Sequence, residues 1–73
     1  MMKLKDLLEV CDKETQIDVW RNKDELFLGD YNNKGICPDP IHSRYYECEV
    51  VKVLGSGAGG LIDVVIMTGA QED

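Results

Sequence analysis

Two β-rich runs, Tyr45–Leu54 and Leu61–Met67, flank the segment Gly55-Ser56-Gly57-Ala58-Gly59-Gly60, and this arrangement constrains the fold more than any other feature. Glycine loses more backbone freedom than any other residue on entering a helix or strand, so a run this rich in it marks a turn. The flanking runs then read as the third and fourth strands of a sheet, joined as a hairpin. In the fourth strand Ile62, Val64 and Ile66 share one face and Leu61, Val65 and Met67 the other, interrupted by Asp63. A strand with so few polar residues belongs at the centre of a sheet or under cover on both faces. The third strand changes phase: Tyr46, Cys48 and Val50 share one parity, Val51 and Val53 the other. That change predicts a β-bulge or a strand covered twice. The glycine run also matches the outline of the GxGxxG dinucleotide fingerprint. That fingerprint requires its last glycine to open a helix whose amides hold the pyrophosphate. Here a strand follows at once and leaves no room for a βαβ unit, so a flexible hairpin loop is the better account.

Upstream, Leu4, Leu7, Leu8 and Cys11 fall at helical spacing, with Lys3, Lys5, Asp6 and Glu9 opposite, which predicts a helix over residues 2–12. Alone, about three turns would melt, so this helix needs a sheet to pack on. Thr15–Trp20 alternates, with Ile17 and Val19 inward and Gln16 and Asp18 outward. After the polar break Arg21–Asp24, a second strand follows with Leu26 and Leu28 inward, giving a hairpin over 15–30. Trp20 and Phe27 fall together on the opposite face. Residues 31–44, with Asn32, Asn33, Gly35, Pro38 and Pro40, read as an irregular loop, and a loop of such length tends to carry function or mobility. Residues 68–73 read as a frayed acidic tail. The expected fold is a single α+β domain over 1–73. Its N-terminal helix packs, through Ile17, Val19, Leu26 and Leu28, on a roughly four-stranded antiparallel sheet made of two hairpins, 15–30 and 45–67.

At 73 residues the chain is short enough that metal, disulfides or self-association would help to stabilise it, and self-association demands least. A hydrophobic fraction of 44% argues against wholesale disorder. The net charge of -6 provides no basic face for phosphates, so direct nucleic-acid binding is not expected. It fits simple solubility, attraction to a basic partner, or imitation of nucleic-acid charge. The start Met1–Asp6 has no long apolar run, and no segment has the length of a membrane span, so the expected compartment is the cytoplasm. Cys11, Cys37 and Cys48 then read as reduced thiols.

Residue types that carry chemistry are sparse. Cys37, His42 and Cys48, with Cys11 as a fourth, form a candidate zinc set. They lack the tight CxxC pairing of structural sites, so two buried thiols, one loop thiol and an exposed histidine are the better account, and no metal site is expected. A Cys37–His42 pair has no evident orienting group. Asp18, Glu47, Glu49 and Asp63 read as carboxylates on solvated strand faces. No enzyme activity and no cofactor are therefore expected. Interface candidates are the five aromatics Trp20, Phe27, Tyr31, Tyr45 and Tyr46, since large rings with a polar handle favour contact surfaces. One helix covers one sheet face. The other, with Trp20, Phe27, Val51, Val53 and Val65, is left for a partner or a second copy.

The opening Lys3-Leu4-Lys5-Asp6-Leu7-Leu8-Glu9, followed by Thr15-Gln16-Ile17-Asp18-Val19, resembles a loose group of small uncharacterised proteins from phages and mobile elements of Gram-positive bacteria. Those proteins carry a short helix followed by a β-sheet, and the likeness covers the first third of the chain and the layout. The resemblance implies an accessory binding protein, of a kind that can inhibit host defence or sequester its nucleotide signals, and no site residue carries over. The function expected is a non-catalytic protein-interaction module that self-associates as a homo-oligomer. The alternatives are a defence inhibitor, acting as an acidic decoy or a nucleotide-sequestering oligomer, and a small zinc-binding or thiol-dependent protein.

Overall fold

A computed structural model describes residues 1–55 and 60–69; the expected turn at 56–59 and the tail at 70–73 lie outside the described residues. Helix α1 spans Leu4–Val10, and the strands are β1 (Gln16–Arg21), β2 (Phe27–Tyr31), β3 (Glu49–Gly55) and β4 (Leu61–Met67). They form one sheet in the order β2-β1-β4-β3. β1 pairs antiparallel with β2, and β3 with β4, but β1 and β4 run parallel, with Ile17 beside Ile62 and Val19 beside Val64. The sheet is therefore mixed, which corrects the expectation of an antiparallel sheet built of two hairpins. The physical reason is where the edges fall. Because β1 and β4 meet at the centre, β2 and β3 lie at opposite edges, and the chain between them must cross the sheet.

That crossing changes what the 31–44 segment is. Asp30 and Pro40 form a parallel bridge, with Asp30 N donating to Asp39 O (2.7 Å) and Ile41 N to Asp30 O (2.8 Å). Pro38 and Pro40 have no N–H to donate, so the donors on this stretch are Asp39 and Ile41, and both face β2. The stretch closes the edge of β2 with residues that cannot extend the sheet further. Ile41 is buried, and so is Tyr45 in the 3₁₀ turn Ser43–Tyr45. The expected loop is thus partly core, and Tyr45 precedes β3 instead of opening it.

The core joins Leu4 and Leu8 of α1, Ile17 and Val19 of β1, Val64 and Ile66 of β4, and Ile41 and Tyr45 of the crossover. α1 begins at Leu4 because the residues before it are extended and paired to the start of β3: Val50 N donates to Met2 O (2.8 Å) and Leu4 N to Cys48 O (2.9 Å). Asp6 accepts from Lys3 N (3.3 Å), where a carboxylate also suits the helix dipole. The register slips between Val50 and Lys52, placing the bulge that the phase change predicted. β4 is central, as its composition required, whereas β3 is a largely exposed edge strand and is not covered twice. Leu26 is not inward: it precedes β2 and is half exposed, because Glu25 turns through φ 58° and the strand opens at Phe27. No helix among the described residues is long and apolar enough to cross a membrane.

Glu47 clamps this N-terminal junction, accepting from Lys3 Nζ (2.7 Å) and Lys5 Nζ (2.8 Å). The Lys3 and then the Lys5 hydrogen bonds hold its carboxyl at about 2, below the ordinary 4.5, and the same bond raises Lys5 above 10.5. A depressed carboxyl stabilises the fold fully above its unfolded value and loses that contribution as pH falls. The expected window for Glu47 is therefore between pH 4.5 and about 2. Carboxyl NMR titration checks this: Glu47 should titrate near 2, returning towards 4.5 when Lys3 and Lys5 are replaced by Met. Since all three groups face solvent, the effect on overall stability should be small.

Candidate functional site

α1 and the buried part of the crossover lie on one side of the sheet; among the described residues the opposite side carries no helix or strand, and the crossover reaches it only at the β2 edge, where it buries Asp30. Val19 and Val64 of the central strands are fully buried on the helix side, while Phe27 is 36%, Leu54 46% and Met67 49% exposed on the other; at the edge strand β3 the contrast is lost, since Val53 on the helix side is 48% exposed. Trp20 is the centre of this outer face. Its ring meets Phe27 edge-on across the β1–β2 pair, with centroids 5.1 Å apart and planes at 61°, a favoured arrangement for aromatic quadrupoles. Its indole Nε1 donates to Asp63 Oδ1 on β4 at 3.1 Å. Two neighbours thus hold the indole. A shallow groove of about 330 Å³ opens beside it, bounded by Arg21 of β1, Lys52 and Leu54 of β3, Asp63 and Val65 of β4 and Asn22 and Glu25 of the β1–β2 turn.

The turn is built to stay in place. Arg21 Nε and Nη2 donate to the two oxygens of Asp24 (3.0 and 2.8 Å), and Asp24 Oδ1 accepts from Leu26 N (3.2 Å). The Arg21 hydrogen bond leads in lowering the Asp24 carboxyl to about 2. A second consequence of the register lies below Trp20. Asp30 stands opposite Asp18, and Asp18 beside Asp63, so three aspartates occupy one row across β2, β1 and β4. Asp30 is withdrawn into the crossover, its Oδ2 accepting from Asn33 Nδ2 (2.8 Å) and Asp39 N (3.1 Å). Asp18 accepts from Gln16 Nε2 (3.1 Å).

The five aromatics are not one surface. Trp20 and Phe27 share the outer face; Tyr31 and Tyr46 pack against the core from the helix side, and Tyr45 is inside it. Val53 stands opposite Val64, on the helix side, and Val51 occupies the bulge, so of the expected face only Trp20, Phe27 and Val65 hold their places. Lys52, Leu54, Asp63 and Met67 were not among the interface candidates. Asp63 left a trace in the sequence as the polar interruption of an apolar strand; Lys52 left none, since the bulge determines its face.

The proposed metal ligands do not converge. Cys37 is exposed at φ 61°, while Cys11 and Cys48 are half-buried against the core. His42 is exposed, and its Nδ1 accepts from Arg44 N (3.0 Å), capping the 3₁₀ turn. Among the described residues, no group of three or more His, Cys, Asp or Glu side chains is placed to hold a metal ion. Comparison with protein-family models, with curated proteins and with solved structures finds no significant match, so the functional reading rests on this geometry.

Proposed function

We propose that this protein is a non-catalytic interaction module whose docking surface is the outer face of the sheet. One observation carries the reading. Among the described residues no helix or strand covers the face, yet it bears the chain's only tryptophan, held from two sides and sharing the face with exposed Phe27, Leu54 and Met67. Buried aromatic anchors ringed by smaller apolar and polar groups are what binding surfaces use most. A display selection of random peptides on the immobilised protein tests this. The expected peptides bind the native chain and lose binding to Trp20→Ala or Leu54→Asp variants that still melt cooperatively. Selected peptides indifferent to both substitutions would overturn the reading.

Self-association has a different support, at the edge. Among the described residues Met2–Leu4 cover only the start of β3, and beyond it Val51, Val53 and Leu54 are exposed along a strand edge that no other described segment pairs with. Such an edge can pair with a second copy, although the Val51 bulge and Lys52 are features that limit such pairing to a short stretch. Sedimentation velocity should show concentration-dependent dimers that Val53→Lys abolishes. A monomer at all concentrations would remove this reading while leaving the outer face untouched.

A further inference from the structure

We infer that the outer face seats a basic segment of a partner protein, with an arginine or lysine entering beside Trp20 to meet the carboxylates of Asp18 and Asp63. This rests on the reading of that face as the docking surface. Like charges directly opposite in a sheet are destabilising, yet three aspartates share one row across adjacent strands. Only Asp30 is drawn aside into the crossover. Asp18 and Asp63 remain on the open face, and the hydrogen bonds they accept come from uncharged donors, Gln16 and Trp20. The indole lies against the row, and an aromatic face attracts a cation within about 6 Å of its centre. Two cations border the groove: Arg21 is paired with Asp24, and Lys52 stands beside Val65, two pairs along from Asp63, so an incoming cation is directed towards the Asp18 side of the row.

Area and charge both favour a short basic segment over a second copy on this face. Four strands about 4.8 Å apart and some six residues long, at about 3.3 Å each, present roughly 400 Å². That is about half of what each partner contributes to a standard stable interface. A second copy would also bring another net charge of -6. An extended cationic segment needs less area, because complementary charge adds to its contacts and speeds its encounter.

Titration with hepta-arginine amide, followed by Trp20 fluorescence, tests the inference, since the chain has a single tryptophan. The comparison is between the native protein, an Asp18→Asn/Asp63→Asn variant, and a variant with the same charge removed elsewhere, Glu9→Gln/Asp39→Asn. A saturable change is expected with the native protein, weakened about tenfold or more in the first variant and within about twofold in the second. Both asparagines can still accept the existing hydrogen bonds while relieving the repulsion in the row. The first variant should therefore melt a few degrees higher than the native chain, a sign that a purely structural role for the carboxylates would reverse. Equal weakening in both variants would reduce the effect to overall charge and overturn the inference, as would no saturable change. Face-dependent peptides without basic residues in the display selection would also overturn it while leaving the interaction module standing. A Trp20-dependent dimer would do the same, with a second copy as the occupant.

Discussion

Gly29→Ala is expected to destabilise the chain strongly. A Cβ at this position would lie 2.7 Å from Ile41 Cα and 2.9 Å from both Ile41 N and Asp39 O. All three are backbone atoms, so no side chain can rotate out of the way. They also belong to the stretch that pairs with Asp30, and the φ of Gly29, +150°, is one that residues with a Cβ rarely adopt. Relief would require lifting residues 39–41 off β2, which breaks the Asp30 pairing and draws Ile41 out of the core. Overpacking against fixed backbone combined with a lost core residue costs roughly 3 kcal/mol or more. A chain of this size has about 4–11 kcal/mol in total. The melting temperature should fall by about 12–24 °C. Gly55→Ala is the matched control: among the described residues its Cβ meets nothing within 4 Å, and its melting temperature should stay within a few degrees. A Gly29→Ala protein that melts like the native one would mean that the crossover does not sit on β2 as described.

Position 29 also shows where the sequence stops being informative. Local periodicities survived into the structure: Leu4 and Leu8 on one helix face, Ile17 and Val19 on one strand face, and the phase change that became the Val51 bulge. Each of these depends on residues within a few positions of one another. The parallel β1–β4 seam does not, because alternation reads the same whichever way a neighbouring strand runs. The crossover was obscured for a related reason. Two prolines, two asparagines and a glycine around Ile41 and Tyr45 spell a surface loop, and only the long-range bridge to Asp30 makes that segment structural. The candidate site divides along the same line. Trp20 and Phe27 could be paired from the sequence because their contact crosses a short turn. Asp18 and Asp63 read as two separate solvated carboxylates, and it is the parallel register that turns them into neighbours.

Tyr45→Ala separates the two roles that this aromatic could have, interface contact or core, and the expected result is a loss of stability with no surface consequence. Tyr45 is 5% exposed and belongs to the same core cluster as Leu4, Leu8 and Ile41. Removing a buried ring costs about 3–5 kcal/mol, of the same order as the Gly29 clash, because the cavity can collapse only in part. The hydroxyl is a smaller matter. It accepts from Arg44 Nη2 at 3.0 Å, and the same guanidinium lies 5.0 Å from the ring centre. Tyr45→Phe keeps the ring and its contact with Arg44 while removing that hydrogen bond, so it should cost about 0.5–1.5 kcal/mol. Urea denaturation of the two variants checks the order. A Tyr45→Ala protein as stable as Tyr45→Phe would mean that the ring is not packed inside. If the order holds, peptide binding at the outer face should be unchanged in Tyr45→Phe, since α1 and the buried part of the crossover lie on the other side of the sheet from Trp20. The pair of variants thus tests the division of labour inferred for the sheet, in which one face holds the fold and the other is left for a partner.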